Sequence, residues 1–428
     1  MIIYSREGKH PQTVRCINEC LLAMAVRCGI TFGNLLRERI MRQQLVDKFL
    51  EIFGAGDEVS VYFAPGRINL IGEHTDYNGG HVFPCAITVG TYAAARRRTD
   101  TDIRLYSLNY PETGIVKASL GELDYRQKDG WGNYPKGVIQ TFISKGCRIS
   151  YGLDILYYGD IPKGLGIGSS ASIEVVTGLI LKELQELSDI NMVDIALFSQ
   201  LSENEYIGAG SGIMDPFTIA MGKRDHAIFL DTSNLSYIYA PLRLPHEKII
   251  ITNSQKVRLA VDERYQERRS QCSQALKELQ RVVAIRDLGE LTAEVFEQVQ
   301  EMITSPVRLQ RARHAVTENQ RTIQAVEALK RGDIEEFGQL MNASHLSLKE
   351  DYEVSCEELD ILVEEAWNIT GVLGSRMMGA GFGGCTVSIV KNSAVNEFIS
   401  RVGQNYEERT GLRAEFYVVE TGNGATVL

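Results

Sequence analysis

From Val59 to the C-terminus, short runs rich in β-branched and aromatic residues alternate with longer segments of helical period. That alternation restricts the chain to folds in which sheets carry helices. Val59–Phe63, Ile103–Ser107 and Ile155–Tyr158 have the composition of strands, and the first is expected to end in a turn at Ala64-Pro65-Gly66. Ser172–Leu187 sets Ile173, Val176, Ile180 and Leu184 in helical register, and Ile195–Tyr206 predicts a second helix. Lys248–Thr252 is a further apolar strand. Helical stretches occupy roughly 263–285, 292–302, 307–331 and 334–349, and strands return at Thr386–Val390 and Ala414–Glu420. The pattern is α+β in two halves, divided near 235–248. A chain of 428 residues is also too long for one comfortable core.

Residues 1–40 differ from the rest. Their apolar pattern is weak, and they hold Cys16, Cys20 and Cys28 out of eight cysteines. Met41 opens MRQQLVDKFLEIFG, in which Leu45, Phe49, Ile52 and Phe53 share one helical face. The expected division is an N-terminal extension of unknown role over 1–40, an N-terminal sugar- and ATP-binding domain over 41–240, and a C-terminal domain over 241–428. Deleting the extension is expected to leave activity intact.

The net charge of −10 argues against a nucleic-acid partner, which calls for a basic face. No apolar stretch reaches the roughly 18 residues that span a membrane. Residues 20–26 imitate the core of a signal peptide, but the run is short and lacks a small-residue cleavage site. No C-x-x-C pair is present, so the cysteines are expected to be buried thiols in a reducing, cytoplasmic setting.

Four segments hold the candidate chemistry. The first runs from Gly66 to Gly80 and places Arg67, Asn69, Glu73, His74, Asp76 and Tyr77 just after a strand. Donors and acceptors mixed in this way suit a polyhydroxyl ligand, although a polar turn with caps would look similar. The second, Asp160 to Ser172, alternates Gly164, Gly166 and Gly168 before Ser169, Ser170 and a helix start. Backbone N–H groups there can approach a phosphate, aided by the helix dipole. A Gly/Ser turn with a serine cap is the plainer alternative. It is not a Walker A loop, because no Gly-Lys-Ser/Thr follows. The third, Met378 to Cys385, is glycine-rich ahead of a strand and serves either as a phosphate-closing loop or as a tight turn. The fourth, Gly210-Ser211-Gly212-Ile213-Met214-Asp215-Pro216-Phe217, sets Asp215 beside a proline, where an aspartate is ordinarily a turn residue.

Taken together and in order, these segments resemble the galactokinases of the GHMP small-molecule kinase family. Gly66 to Tyr77 reproduces the signature Gly-Arg-x-Asn-Leu-Ile-Gly-Glu-His-x-Asp-Tyr without a break. Trp131 to Val138, Asn342 to His345 and Asp351 to Cys356 add further matches, and the resemblance covers roughly residues 41–428. It implies a two-domain GHMP kinase architecture, with an N-terminal α/β domain, a C-terminal ferredoxin-like α+β domain and the active site in the cleft. It also implies ATP and Mg²⁺ as cofactors and phosphorylation of the anomeric hydroxyl of galactose to galactose 1-phosphate. By the resemblance, Asp215 is the base and Arg67 steadies the charge that develops in transfer. Glu73, His74, Thr75, Asp76, Gly212 and Tyr265 hold the sugar. Gly164, Leu165, Gly166, Ile167, Gly168, Ser169 and Ser170 cradle the ATP phosphates, and Ser170 and Glu203 hold Mg²⁺. Transfer of this kind relies on positioning and charge neutralisation more than on covalent help.

The chain departs from the family pattern at Gly168, where a serine is usual, and at Pro216, which is expected to stiffen the loop after Asp215. It also departs at Val257-Arg258-Leu259 and at Met378. These changes leave open a 1-kinase for N-acetylgalactosamine, arabinose or galacturonate. A non-catalytic galactose and ATP sensor is the alternative of another class.

Overall fold

The computed structural model describes residues 2–4, 30–162, 164–257 and 261–428, with side chains described from Arg39 onward except at Asp262. Residues 20–26, Lys163, Arg258 and Leu259, named above, lie outside the described residues, as do the side chains of Cys16, Cys20 and Cys28.

A six-stranded sheet organises the first half, in the order Thr426–Val427, Ser60–Asn69, Pro84–Arg97, Leu153–Gly159, Asp102–Ser107, Val116–Ser119. Its pairs are antiparallel except Asp102–Ser107 with Leu153–Gly159. Side chains alternate between its faces, as the strand period of two requires. Tyr62, Ala64, Ala93, Ala95, Ile155 and Tyr157 point to one face, where the helices Asn133–Ser144, Ser169–Leu184, Met192–Leu201 and Met214–Met221 cover them. Val61, Tyr92, Ala94 and Leu156 point to the other, against Leu45, Phe49 and Phe53. The helix that supplies those three residues spans Ile30–Phe53, so it begins upstream of Met41.

The strand expected to stop at Phe63 instead continues to Asn69. The register shifts between Pro65 and Arg67, a bulge that carries the chain through Ala64-Pro65-Gly66 without a turn. Its partner Pro84–Arg97, which combines the strand formers Ile87, Thr88, Val89, Thr91 and Tyr92 with four alanines, was not among the expected strands.

The second half is built on a five-stranded antiparallel sheet, ordered Ile2–Tyr4, Glu415–Val419, Glu247–Asn253, Cys385–Lys391, Val372–Met378. The helices Glu357–Trp367 and Val395–Thr410 cover one face through Leu362, Phe398 and Val402. The other face shares a core with the first half. Ile249, Ile251, Val387 and Ile389 pack with Ile68, Leu70, Ile71 and Phe83, joined by Ala325, Phe337 and Met341 from the helices Pro306–Lys330 and Ile334–Glu350. Val261–Leu279, the remaining long helix, packs on Pro306–Lys330. His81–Val82, His226–Asp231 and Tyr237–Pro241 form a small third sheet. Among the described residues, no helix is long and apolar enough to cross a membrane. Cys85, Cys272 and Cys385 are buried thiols, while Cys147 and Cys356 are half-buried.

The packing of Leu45, Phe49 and Phe53 makes the N-terminal helix testable. Deletion of residues 1–40 removes only the three-residue edge strand Ile2–Tyr4 and the first turns of the helix, keeps all three core side chains, and is expected to leave soluble yield and melting temperature nearly unchanged. Phe49→Ala, at a side chain with no exposed surface, is expected to cost about 3–5 kcal/mol in denaturant unfolding.

Candidate active site

The bulge positions the first functional side chain. Arg67 donates its backbone N–H to the Ile167 carbonyl at 2.9 Å, and its Nη1 reaches the Gly166 carbonyl at 2.7 Å. The guanidinium then grips Asp215 with two parallel bonds, Nε to Oδ1 at 2.7 Å and Nη2 to Oδ2 at 2.5 Å. Such a fork is rigid and directional. Asp215 lies in the first turn of Met214–Met221, and Pro216 follows it there. Pro216 therefore starts a helix instead of stiffening a loop, and its missing N–H is one the first turn leaves unbonded anyway.

The glycine-rich segment is anchored by alternation. Leu165 and Ile167 are buried in the core shared by the two halves, while Gly164, Gly166 and Ser169 face outward. Gly164, Gly166 and Gly168 all have left-handed φ, at 81°, 66° and 80°. Ser169 opens the helix, with Gly168 as the residue before it and no side-chain cap, so neither serine serves as the expected cap. The outcome is a backbone ridge at a helix N-terminus, an arrangement suited to anions.

Glu203 stands across from that helix start, within a wide turn of π type over Ser202–Ile207 that continues Met192–Leu201. Its Oε2 accepts from the Ser211 hydroxyl at 2.6 Å, and the Ser170 hydroxyl also bonds to it. Burial pushes the Glu203 pKa up, and the two hydroxyls oppose that shift. Glu174 is fully buried nearby, and neither of its carboxylate oxygens has a protein partner. Burial, then repulsion from Glu203, pushes it well above the usual carboxylate range. Among the described residues no three His, Cys, Asp or Glu side chains group as a metal cage. A hydroxyl and a carboxylate at this place fit Mg²⁺ of the kind that completes its shell with phosphate oxygens and water.

The signature loop forms the opposite wall. Both carboxylate oxygens of Glu73 are bonded: Oε2 by the Asn69 amide at 2.9 Å and by Arg376, Oε1 by the Gly379 N–H at 2.8 Å. Arg376 also donates to the Asn69 carbonyl at 2.8 Å. Glu318 accepts from the backbone N–H groups of Gly72 and Glu73 at 3.0 and 3.2 Å. Its burial opposes charge, but Arg321, His314, Arg376 and the Ser344 hydroxyl outweigh that and hold its pKa at about 2. The glycine-rich segment before Cys385–Lys391 thus makes a turn that closes on Glu73 through the Gly379 N–H. Thr75 is buried, and its hydroxyl serves the loop itself, 2.7 Å from the His81 carbonyl and 2.9 Å from that of Gly72.

Asp76 is half-buried and faces the Gly210–Ile213 segment. Any side chain at Gly212 would strike its carboxylate, so the close approach requires glycine. Burial, followed by repulsion from Asp215 and Glu73, raises the Asp76 pKa from 3.8 to about 7. Tyr265 packs beside it, with ring centroids 5.6 Å from His74 and 5.2 Å from Tyr77. Arg67, Asp215, Asp76, Gly212, Tyr265, Glu203, Ser170 and the glycine ridge therefore converge on one cleft. Sequence reasoning missed Arg376, Glu318 and Glu174. A lone arginine in the apolar strand Val372–Met378 was the available signal for the first.

Comparison with known proteins agrees with this geometry. The galactokinase galactose-binding signature matches residues 47–97, the GHMP kinases N terminal domain 133–223, and the GHMP kinases C terminal model 325–408. A galactokinase of Fusobacterium nucleatum is 52% identical over 386 residues, 90% of this chain and 99% of the relative. One of Clostridium acetobutylicum is 54% identical over 381 residues, 89% of this chain and 97% of the relative. The chain belongs to the galactokinase family. The Lactococcus lactis galactokinase complexed with galactose superposes with a TM-score of 0.88 at 44% identity, covering 91% of this chain and all of the other. The mevalonate kinase of Methanococcus jannaschii, at 19% identity and a TM-score of 0.59, shares the fold. The two-domain α+β GHMP kinase architecture expected from the sequence is that of the galactokinase family, and the chain is a sugar kinase of that family.

The raised Asp76 pKa has a consequence for stability. Between the unfolded value near 4 and the folded value near 7, the native state holds a proton that the unfolded chain has released. Stability therefore declines through that window, and the penalty is complete above it. Asp76→Asn is expected to stabilise the ligand-free protein by about 1–2 kcal/mol at pH 8, a figure discounted for the half-open cleft. The gain should vanish toward pH 4. Thermal melts across pH 4–8 read the difference, and a gain independent of pH would contradict the assignment.

Proposed function

We propose that this chain transfers the γ-phosphoryl group of ATP to the anomeric hydroxyl of galactose, and that it works in the cytoplasm. The Arg67–Asp215 pair carries the reading. It is bonded at 2.7 and 2.5 Å, and it stands between a glycine ridge that suits phosphates and a pocket of Asp76, Gly212 and Tyr265 that suits hydroxyls. The division of labour between the two halves, with a boundary near residue 240, belongs to the same proposal.

Each residue then has a chemical task. The N–H groups from Gly164 to Ser170 and the start of Ser169–Leu184 hold the phosphates. Asp76, Glu73 and Tyr265 fix the sugar by its hydroxyls. Asp215 accepts the proton of the anomeric hydroxyl, which is more acidic than an ordinary alcohol, so a carboxylate is an adequate base. Arg67 orients that carboxylate and steadies negative charge along the transfer path. Ser170 and Glu203 are the residues that would hold Mg²⁺, which neutralises phosphate charge when bound.

Initial rates of ADP release with MgATP test the proposal across galactose, 2-deoxygalactose, N-acetylgalactosamine, arabinose, galacturonate and glucose. Fast turnover on galactose is expected, reduced about 10²–10⁴-fold by Asp215→Asn. Faster turnover on another sugar would reassign the substrate. Binding of sugar and ATP with no ADP release would point to a sensor.

A further inference from the structure

Residues 208–213 form a loop between the turn that carries Glu203 and the helix that carries Asp215. Of the loop's residues, the transfer just described uses Gly212 alone. Gly208, Gly210 and Gly212 alternate through it, and the first two have left-handed φ, at 84° and 68°. Such a backbone has little stiffness of its own, and side chains supply the hold. Asn204 Nδ2 donates to the Ser211 carbonyl at 3.0 Å, and Gln200 Nε2 at 3.4 Å. From the helix Val261–Leu279 of the second half, Arg269 donates to the Gly210 carbonyl, with its guanidinium 5.3 Å from the centre of the Tyr77 ring. Gln266 Nε2 of the same helix lies 3.4 Å from the Ala209 carbonyl.

Glu203 is tied to this loop at three points. Its carbonyl accepts from the N–H groups of Gly208 and Ala209, the latter at 3.0 Å. Its Oε2 pairs with the Ser211 hydroxyl at 2.6 Å. The other neighbour of that hydroxyl, Asn204 Oδ1, stands at 3.4 Å, beyond the usual O–H···O range, so Glu203 is its partner. A ligating carboxylate bonded in this way has its orientation set from outside the metal. The residue after Ser211 is Gly212, whose backbone lies against the Asp76 carboxylate. One side chain and the next peptide therefore reach the metal carboxylate and the sugar carboxylate.

We propose that Ser211 is a positioning residue that links the two substrate sites: its hydroxyl fixes Glu203 for the metal, and through the peptide to Gly212 it makes sugar at Asp76 and metal nucleotide at Glu203 strengthen each other's binding. A ligand that braces one end of the loop spares the other part of the cost of ordering it. The proposal rests on the readings of Asp76 as a sugar ligand and of Glu203 as a metal ligand.

Titration calorimetry of the full chain with ADP, which supports no transfer, tests the metal end. The wild type should bind ADP more tightly with Mg²⁺ than with EDTA. Ser211→Ala should weaken the Mg²⁺ form about tenfold and leave the metal-free form within about twofold. Unchanged binding of the Mg²⁺ form, or an equal loss of both, overturns the positioning role. The link is tested by the Kd for galactose with and without saturating MgADP. MgADP should tighten galactose binding about fivefold in the wild type and by less than about twofold in Ser211→Ala, whose Kd for galactose alone stays at the wild-type value. No tightening in the wild type overturns the link. Tightening that persists in the variant assigns the coupling to charge acting across the cleft and overturns Ser211 as its route. Loss of galactose binding by the variant alone overturns it too, because Ser211 is then a general support of the loop. Two further variants separate these failures from those of the underlying readings. If Glu203→Ala keeps the advantage of Mg²⁺, the metal-site reading fails; if Asp76→Asn keeps the Kd for galactose, the sugar-pocket reading fails.

Discussion

The site depends on one buried ion pair, Glu73 with Arg376. Both charges are withdrawn from water, with Arg376 at 0% exposure and Glu73 at 3%. Such a pair is tolerable only when its remaining hydrogen-bonding capacity is met. Asn69, Gly379 and the Asn69 carbonyl meet most of it here. Removing either partner would strand the other as a buried charge, at a cost of about 3–5 kcal/mol. The bond joins the loop after Ser60–Asn69 to the strand Val372–Met378 of the second sheet. Because it holds, the signature loop has one position relative to the C-terminal half, and Glu318 and His314 fasten the same loop from the helix Pro306–Lys330.

Fixing the loop completes a gathering of acidic groups. Asp76, Asp215, Glu73, Glu203 and Glu174 all face or adjoin one cleft, and the raised pKa values of Asp76, Glu203 and Glu174 register their burial and mutual repulsion. A fold selected for stability alone would not gather them. Sugar hydroxyls, Arg67 and a divalent cation are the partners that make the arrangement favourable. The cleft trades stability for readiness to bind, and Asp76 shows that tension most plainly.

Much of this was legible in the sequence. The helices from 263 to 349 follow from helical period, and the strands Lys248–Thr252 and Thr386–Val390 from short apolar runs that the sheet buries on both faces. Arg67, Asp215 and the alternating glycines each had an ordinary structural reading, and it was the resemblance of several segments in one order that singled them out. Other features were hidden for physical reasons. The bulge at Gly66 resembles a turn locally, and only pairing with Pro84–Arg97 carries the strand onward. Arg376 and Glu318 are single charges in otherwise ordinary elements, and their value lies in contacts some 300 and 240 positions distant in the chain. The sequence offers no period for such contacts. Thr75 illustrates the converse: within the signature, residue type alone does not separate groups that face the ligand from groups that hold the loop.

The most direct test of the account is the identity of the product. Purified protein incubated with MgATP and galactose, followed by ³¹P NMR, is predicted to yield one phosphate ester. Its signal should be split by the anomeric proton, together with an equal amount of ADP. An ester on the primary hydroxyl, split by two protons, or ADP formed with inorganic phosphate in place of ester, would contradict the assignment of Arg67 and Asp215 to anomeric phosphoryl transfer.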